Sequence, residues 1–232
     1  MEQRSRGGRK SHSAERITDA KPDERMSRPN YEAALRYALG RLRTELRPEL
    51  LYHNAAHTES DVLPAVSRLA RLSNLAEADV RLLEVAAAFH DLGQIRSTLE
   101  HERIGIDITS QVLPGFGFGT EEIARITAII LATRLPQTPQ NEEQALLADA
   151  DLDSLGREDF LETSTALWKE KQAQGERIAW RTWLESQLEL LRSHRYFTRA
   201  ARSLRDAGKV RNIELLERLI RDHAGDEMSR EG

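Results

Sequence analysis

The chain has no cysteine at all, which excludes disulfides, thiolate zinc sites and a cysteine nucleophile. Long apolar runs are missing too. No stretch approaches eighteen consecutive apolar residues, so a membrane-spanning helix is not expected. The opening residues, MEQRSRGGRKSHSAER, lack the apolar segment of a secretory signal. Nor is there a surplus of positive charge. Lys and Arg number 34 against 38 Asp and Glu, a net −4, which excludes a nucleic-acid binder driven by overall charge. Aromatics are only 5% of the residues. What remains is a chain of 232 residues, 39% hydrophobic and 31% charged, ample for a sizeable core. A cytoplasmic protein is the plain expectation.

Residues 1–28 differ from the rest. They are polar, carry Gly7-Gly8 and several serines, and show no helical or strand period, which reads as a disordered basic tail of charge +3. The other 204 residues then carry −7. Met26 stands just before the first periodic segment, so a reading frame beginning there and a basic tail both fit residues 1–25. From Tyr31 onward apolar residues recur at three- and four-residue steps, as amphipathic helices require. Leu35, Leu39, Leu42 and Leu46 make one series; Val62, Val66, Leu69 and Leu72 a second; Leu82, Val85 and Phe89 a third. Later helices are expected over Ile123–Leu131, Leu146–Leu155, Phe160–Gln174, Trp180–Leu191 and Ile213–Ile220, with breaks at Leu113–Gly117 and Pro136–Pro139. No alternating strand stands out. The expectation is one all-α domain over 29–232.

Several polar residues do not suit a core. His90-Asp91 follows the apolar stretch LLEVAAAF and precedes Leu92-Gly93, a helix end; an unpaired charge there would be costly, so the pair either closes on itself or meets a partner. His53 and His57 are spaced i,i+4 in YHNAAH, although Asn54 could instead cap the following helix and leave His53 outside it. Asp149, Asp151 and Asp153 alternate within an apolar segment. On a helix Asp149 and Asp153 share a face and Asp151 lies about 200° from Asp149, so the three cannot serve one centre. Each pattern alone is as well explained by capping or solvent exposure. In chain order, however, they give two imidazoles and two carboxylates on separate helices. Such a mixed set without thiolate suits a divalent metal.

YHNAAH at 52–57, AAAFHDLG at 86–93, HERIG at 101–105 and DADLDSLG at 149–156 resemble the HD superfamily of metal-dependent phosphohydrolases. By motif the resemblance spans about residues 31–156, with a core at 50–156; the C-terminal helices, about 157–225 and including HRYFT at 194–198, look like those of small bacterial HD proteins. The resemblance implies an HD-type helical bundle whose metal is held by His57, His90, Asp91 and an aspartate of DADLD, with Asp151 expected as ligand and Asp149 as a water-orienting catalytic group. The ion would be Mn, Fe, Co, Ni, Zn or Mg. YHNxxH is also similar to the cyclic-nucleotide phosphodiesterases of the superfamily, where the residue matching His53 protonates the leaving oxygen. His101 and Glu102 fall where a second metal or a substrate would be contacted, and Arg134 could meet phosphate. Dinuclear members carry a His-His pair where this chain has Thr133-Arg134, which weighs against a di-iron oxygenase. The expected function is hydrolysis of a nucleotide or other small phosphate ester, with a non-catalytic metal sensor as the alternative; a homo-oligomer is compatible with it. Arg192, Arg195, Arg199, Arg202 and Arg205 step by three or four residues, either as a solvated face, which is the default for a charge run, or as a funnel for an anionic substrate or a contact for nucleic acid, the less expected partner of an acidic chain. Trp168, Trp180 and Trp183 are expected to be packing residues.

Overall fold

The computed structural model describes residues 28–228, so the tail and reading-frame expectations for the first residues lie outside the described part. Every regular element among the described residues is helical: α1 (Tyr31–Glu45), α2 (Leu63–Leu72), α3 (Glu77–Phe89), α4 (His101–Val112), α5 (Thr120–Leu131), α6 (Glu142–Asp151), α7 (Phe160–Ala173), α8 (Trp180–Ser193) and α9 (Arg199–Met228). No helix among the described residues is long and apolar enough to cross a membrane.

The apolar stretch in the middle of the sequence dictates the architecture. From Val85 to Gln94 the residues are buried without interruption, and a helix apolar on all sides belongs at the centre of a bundle. Accordingly α3 packs against α1, α2, α5 and α6, and its C-terminal end delivers His90 and Asp91 into the interior. Short polar residues start the surrounding helices. The Asn30 side chain accepts from the Ala33 N–H at α1, and Asn141 does the same for Gln144 at α6. Asn54 accepts from the N–H groups of Ala56 and His57, so it caps the helix that carries His57 and leaves His53 outside. Between that cap and α2 the chain runs through a π-helical segment, His57–Val62, a local widening often found at functional sites.

Two glycine contacts set how closely the layers approach. A Cβ on Gly93 would lie 1.9 Å from the His101 carbonyl oxygen, so only glycine lets the start of α4 rest on the turn after Asp91. A Cβ on Gly208 of α9 would lie 1.9 Å from the carbonyl oxygen of Gly156, in the 3-10 turn Asp153–Gly156. Helix propensity alone would make Gly208→Ala stabilising by up to about 1 kcal/mol. The contact dictates the opposite sign: overpacking of about 1–3 kcal/mol, a fall of roughly 2–12 °C in Tm for a chain of this size. Thermal unfolding followed by circular dichroism checks it, and a raised Tm would mean that α9 does not cross the turn this closely.

α7, α8 and α9 complete the domain on the C-terminal side. Trp168 and Trp180 meet edge to face at 5.0 Å between ring centres, and the buried Trp183 donates its indole N–H to Ser164 Oγ, so the tryptophans join α7 to α8 as packing residues. α4 and the first half of α9 were not expected from the sequence, although Ile104, Ile108 and Val112 of α4 recur at four-residue steps.

Candidate metal centre and its cavity

Four side chains from three places in the chain converge at the inner end of α3. His57 Nε2 lies 3.2 Å from Asp151 Oδ1 and 3.8 Å from Asp91 Oδ2. His90 Nε2 lies 3.3 Å from Asp91 Oδ2 and 3.4 Å from Asp151 Oδ1. His57, His90 and Asp91 are buried, while the Asp151 side chain keeps some exposure toward a cavity. Burial alone would push both carboxyls up; the adjacent imidazoles outweigh it and hold Asp91 and Asp151 well below the usual carboxylate range.

The donor set fits a divalent cation. His90 Nδ1 is 2.7 Å from the Ala87 carbonyl oxygen, which makes that nitrogen the N–H donor and leaves the Nε2 lone pair facing the cluster. His90 Nε2 and Asp91 Oδ2 are buried and make no hydrogen bond. Burying such atoms without a partner costs free energy. A cation between His57, His90 and Asp151, whose ligand atoms all lie within 4.8 Å of one another, would satisfy His90 Nε2, and Asp91 Oδ2 lies 3.3 Å from that nitrogen at the edge of the same cluster.

Around this cluster stand two further imidazoles. His101, at the start of α4, places Nε2 3.4 Å from Asp91 Oδ1 and 3.6 Å from Glu102 Oε1, so Asp91 turns one oxygen to the cluster and the other to His101. His53 places Nδ1 2.6 Å from Glu170 Oε1. The second Glu170 oxygen accepts the backbone N–H groups of Tyr52 and His53 at 2.8 and 3.0 Å. Burial depresses the His53 pKa, but Glu170, Asp91 and Asp151 outweigh it and hold the imidazole above its ordinary value. Glu170 was not anticipated. Its signal was its place on the apolar stripe of α7 that runs through Phe160 and Leu167, where a buried carboxylate needs a partner.

His53, Asp91, His101, Glu102, Asp151 and Glu170 all line one cavity of about 380 Å³. A larger open groove of about 720 Å³, between Asn141 and Thr198, holds none of the cluster residues.

Three expectations are corrected. Asp149 does not reach the cavity. It is fully buried, and its carboxylate accepts from the Phe197 N–H, the Thr198 N–H and the Thr198 hydroxyl at 2.7–2.8 Å, which fastens the start of α9 to α6. The physical reason is the helical turn itself, since two residues along α6 face nearly opposite directions. Asp153 is not on a shared face with Asp149, because α6 ends at Asp151; it is buried and clasped by Arg205 Nε and Nη2, both at 2.7 Å, and by Arg68 at 3.0 Å. Arg134 is exposed and does not line the cavity, although Thr133 and Leu135 do. The arginine series is likewise used locally. Arg192 pairs with Glu217, Arg195 and Arg202 donate to nearby carbonyls, Arg205 holds Asp153, and none of the five lines the cavity.

Comparison with known proteins agrees with this geometry. Residues 61–155 match the HD domain family. A crystal structure of a predicted HD superfamily hydrolase from an uncultured Thermotogales bacterium superposes with a TM-score of 0.56 over 84% of this chain and 93% of that one. At 20% identity the likeness is one of fold. No curated protein sequence matches the chain.

Proposed function

We propose that this HD-domain protein is a phosphohydrolase that depends on a divalent metal and cleaves a small phosphate ester. The observation that carries the reading is the meeting of His57, His90, Asp91 and Asp151 beside a cavity into which a third carboxylate, Glu170, holds His53. These four residues would hold the ion, Mn, Fe, Co, Ni, Zn or Mg. When bound, it supplies Lewis acidity and brings the pKa of a water toward neutrality.

The remaining chemistry belongs to the chain. Glu170 accepts a hydrogen bond from His53 Nδ1–H while its other oxygen is held by the Tyr52 and His53 backbone N–H groups, which fixes the ring and leaves Nε2 as the nitrogen for a substrate. Protonated His53 gives its proton to the departing ester oxygen as the P–O bond breaks and a water oxygen bonds to phosphorus. The water's proton passes to solvent, and His53 is recharged from there. The net change is ester and water to phosphate and alcohol. His101 and Glu102, at the cavity wall, are placed to meet the phosphate or a second cation. A metal sensor would need the cluster but not the Glu170–His53 pair, and this favours turnover.

Metal analysis of protein purified without air, followed by a screen of phosphate esters with each of the six metals, tests the reading. Two irons with oxygen uptake would make it an oxygenase; bound metal without hydrolysis of any ester would make it a sensor. His53→Gln is expected to keep its metal and lose about 100-fold or more in kcat on alkyl esters, with a smaller loss on p-nitrophenyl esters, whose leaving oxygen needs no proton. The pH profile carries a sign. A general acid with a raised pKa is active below that pKa, and activity falls as pH rises through it. Glu170→Gln removes the main raising partner, so the alkaline limb should move to lower pH; an unmoved limb would detach Glu170 from the acid.

A further inference from the structure

The cavity carries five carboxylates, from Asp91, Glu102, Asp151, Glu170 and Glu176, against one lysine and no arginine. The lysine, Lys171, is already paired with Glu176 at 2.9 Å. Even with one divalent cation and a protonated His53, the wall stays anionic. Each further negative charge on a substrate is then opposed at short range in a partly desolvated space. The organic part of a ligand meets the opposite chemistry. Leu155, Phe160, Leu167 and Leu190 form the inner wall. At the mouth Leu99 and Leu135 stand 79% and 61% exposed, large apolar side chains left in water beside a polar centre. Tyr52 and Phe160 are the only aromatic rings in the lining besides the histidines, and no arginine is present to stack on a base or fork a phosphate.

We infer that the substrate is a phosphate ester of low charge with an apolar organic part, a monoanionic diester before a nucleotide bearing several phosphates. The inference rests on the phosphohydrolase reading and narrows its substrate class. For a diester the balance is water plus diester to monoester plus alcohol, with the alcohol oxygen taking the proton from His53.

The test uses the full chain loaded with Mn²⁺. Calorimetry with dibutyl phosphate and with AMP on the full-length His53→Gln chain, expected to keep its metal and lose turnover, reads binding with hydrolysis suppressed, and dibutyl phosphate should bind at least about tenfold more tightly. The ratio of kcat/KM for bis(p-nitrophenyl) phosphate to that for ATP should be at least about ten. The double variant Leu99→Ser, Leu135→Ser changes only exposed side chains and should weaken dibutyl phosphate by about three- to tenfold, the loss expected from a few tens of Å² of apolar contact. Its effect on AMP should be smaller. Glu176→Lys should narrow the gap between the two ligands. Equal or tighter binding of AMP overturns the inference while leaving a nucleotide hydrolase standing. Tighter binding of dibutyl phosphate with no ester hydrolysed sinks the hydrolase reading and leaves the charge and apolar preference of the cavity intact.

Discussion

Asp151→Asn is expected to bind divalent metal at least about 100-fold more weakly than the parent chain, and His57→Ala likewise, with hydrolysis lost in both. The estimate follows from the geometry. Each residue contributes an atom within 3.2–3.8 Å of the other members of the cluster, and losing an outer-shell partner already costs about 10–100-fold in metal affinity or activity. Asp149→Asn is the internal control. Its carboxylate is two residues away in sequence yet faces Phe197 and Thr198 instead, so its metal content should match the parent. Metal content by mass spectrometry and affinity by titration read all three. Full metal in Asp151→Asn, or its loss in Asp149→Asn, would place the ligand two residues earlier than the structure does.

Asp153→Ala should cost about 3 kcal/mol, the lower end for removing one partner of a buried charged network, because both arginines keep some contact with water. Tm should then fall by about 6–12 °C. The carboxylate is 2% exposed and receives Arg205 through two nitrogens and Arg68 through a third, so its removal unpairs both guanidiniums at once. Asp149→Ala should be destabilising by about 2–4 kcal/mol, because it leaves the Phe197 and Thr198 N–H groups without their acceptor. Metal affinity separates the two neighbours from Asp151: the folded fraction of either variant should still bind metal. A Tm within 2 °C of the parent for Asp153→Ala would mean that the clasp is weaker than its geometry indicates.

These opposite roles for three alternating aspartates show where the sequence stops being legible. The helices with a clear apolar stripe could be read directly, because burial of Leu42, Val62, Val66 or Leu69 is a local demand repeated every turn. α4 was missed although Ile104, Ile108 and Val112 mark its inner side at four-residue steps; Gly105 and Thr109, buried beside them, dilute the stripe. The first half of α9 escaped because it packs with Ala200, Ala201, Gly208, Lys209 and Asn212, residues too small or too polar to mark an inner face. At the site, the convergence of His57, His90, Asp91 and Asp151 was legible only through the HD-like motifs, since no single pair of them exceeds what capping would explain. The partners of Asp149 lie 48 and 49 residues ahead and those of Asp153 include Arg205, 52 residues ahead. Contacts at that separation leave no local period. Glu170 lies 117 residues from His53 and was invisible for the same reason.

That last distance bears on how such a protein could be recombined. The segment matching the HD family ends at residue 155, so it contains His90, Asp91 and Asp151 but neither His53 nor the carboxylate that holds it. A chimera that keeps residues 28–156 and takes everything beyond from a relative would inherit the histidine–aspartate cluster whole and lose Glu170 unless the donor helix supplies an equivalent. It would also lose Thr198 and Arg205, to which the retained Asp149 and Asp153 are fastened. Grafting therefore has a natural seam elsewhere. Exchanging α7 alone, between Gly156 and Gly175, would exchange the carboxylate that holds His53 and one wall of the cavity while leaving the His57, His90, Asp91 and Asp151 side chains and both aspartate anchors in place.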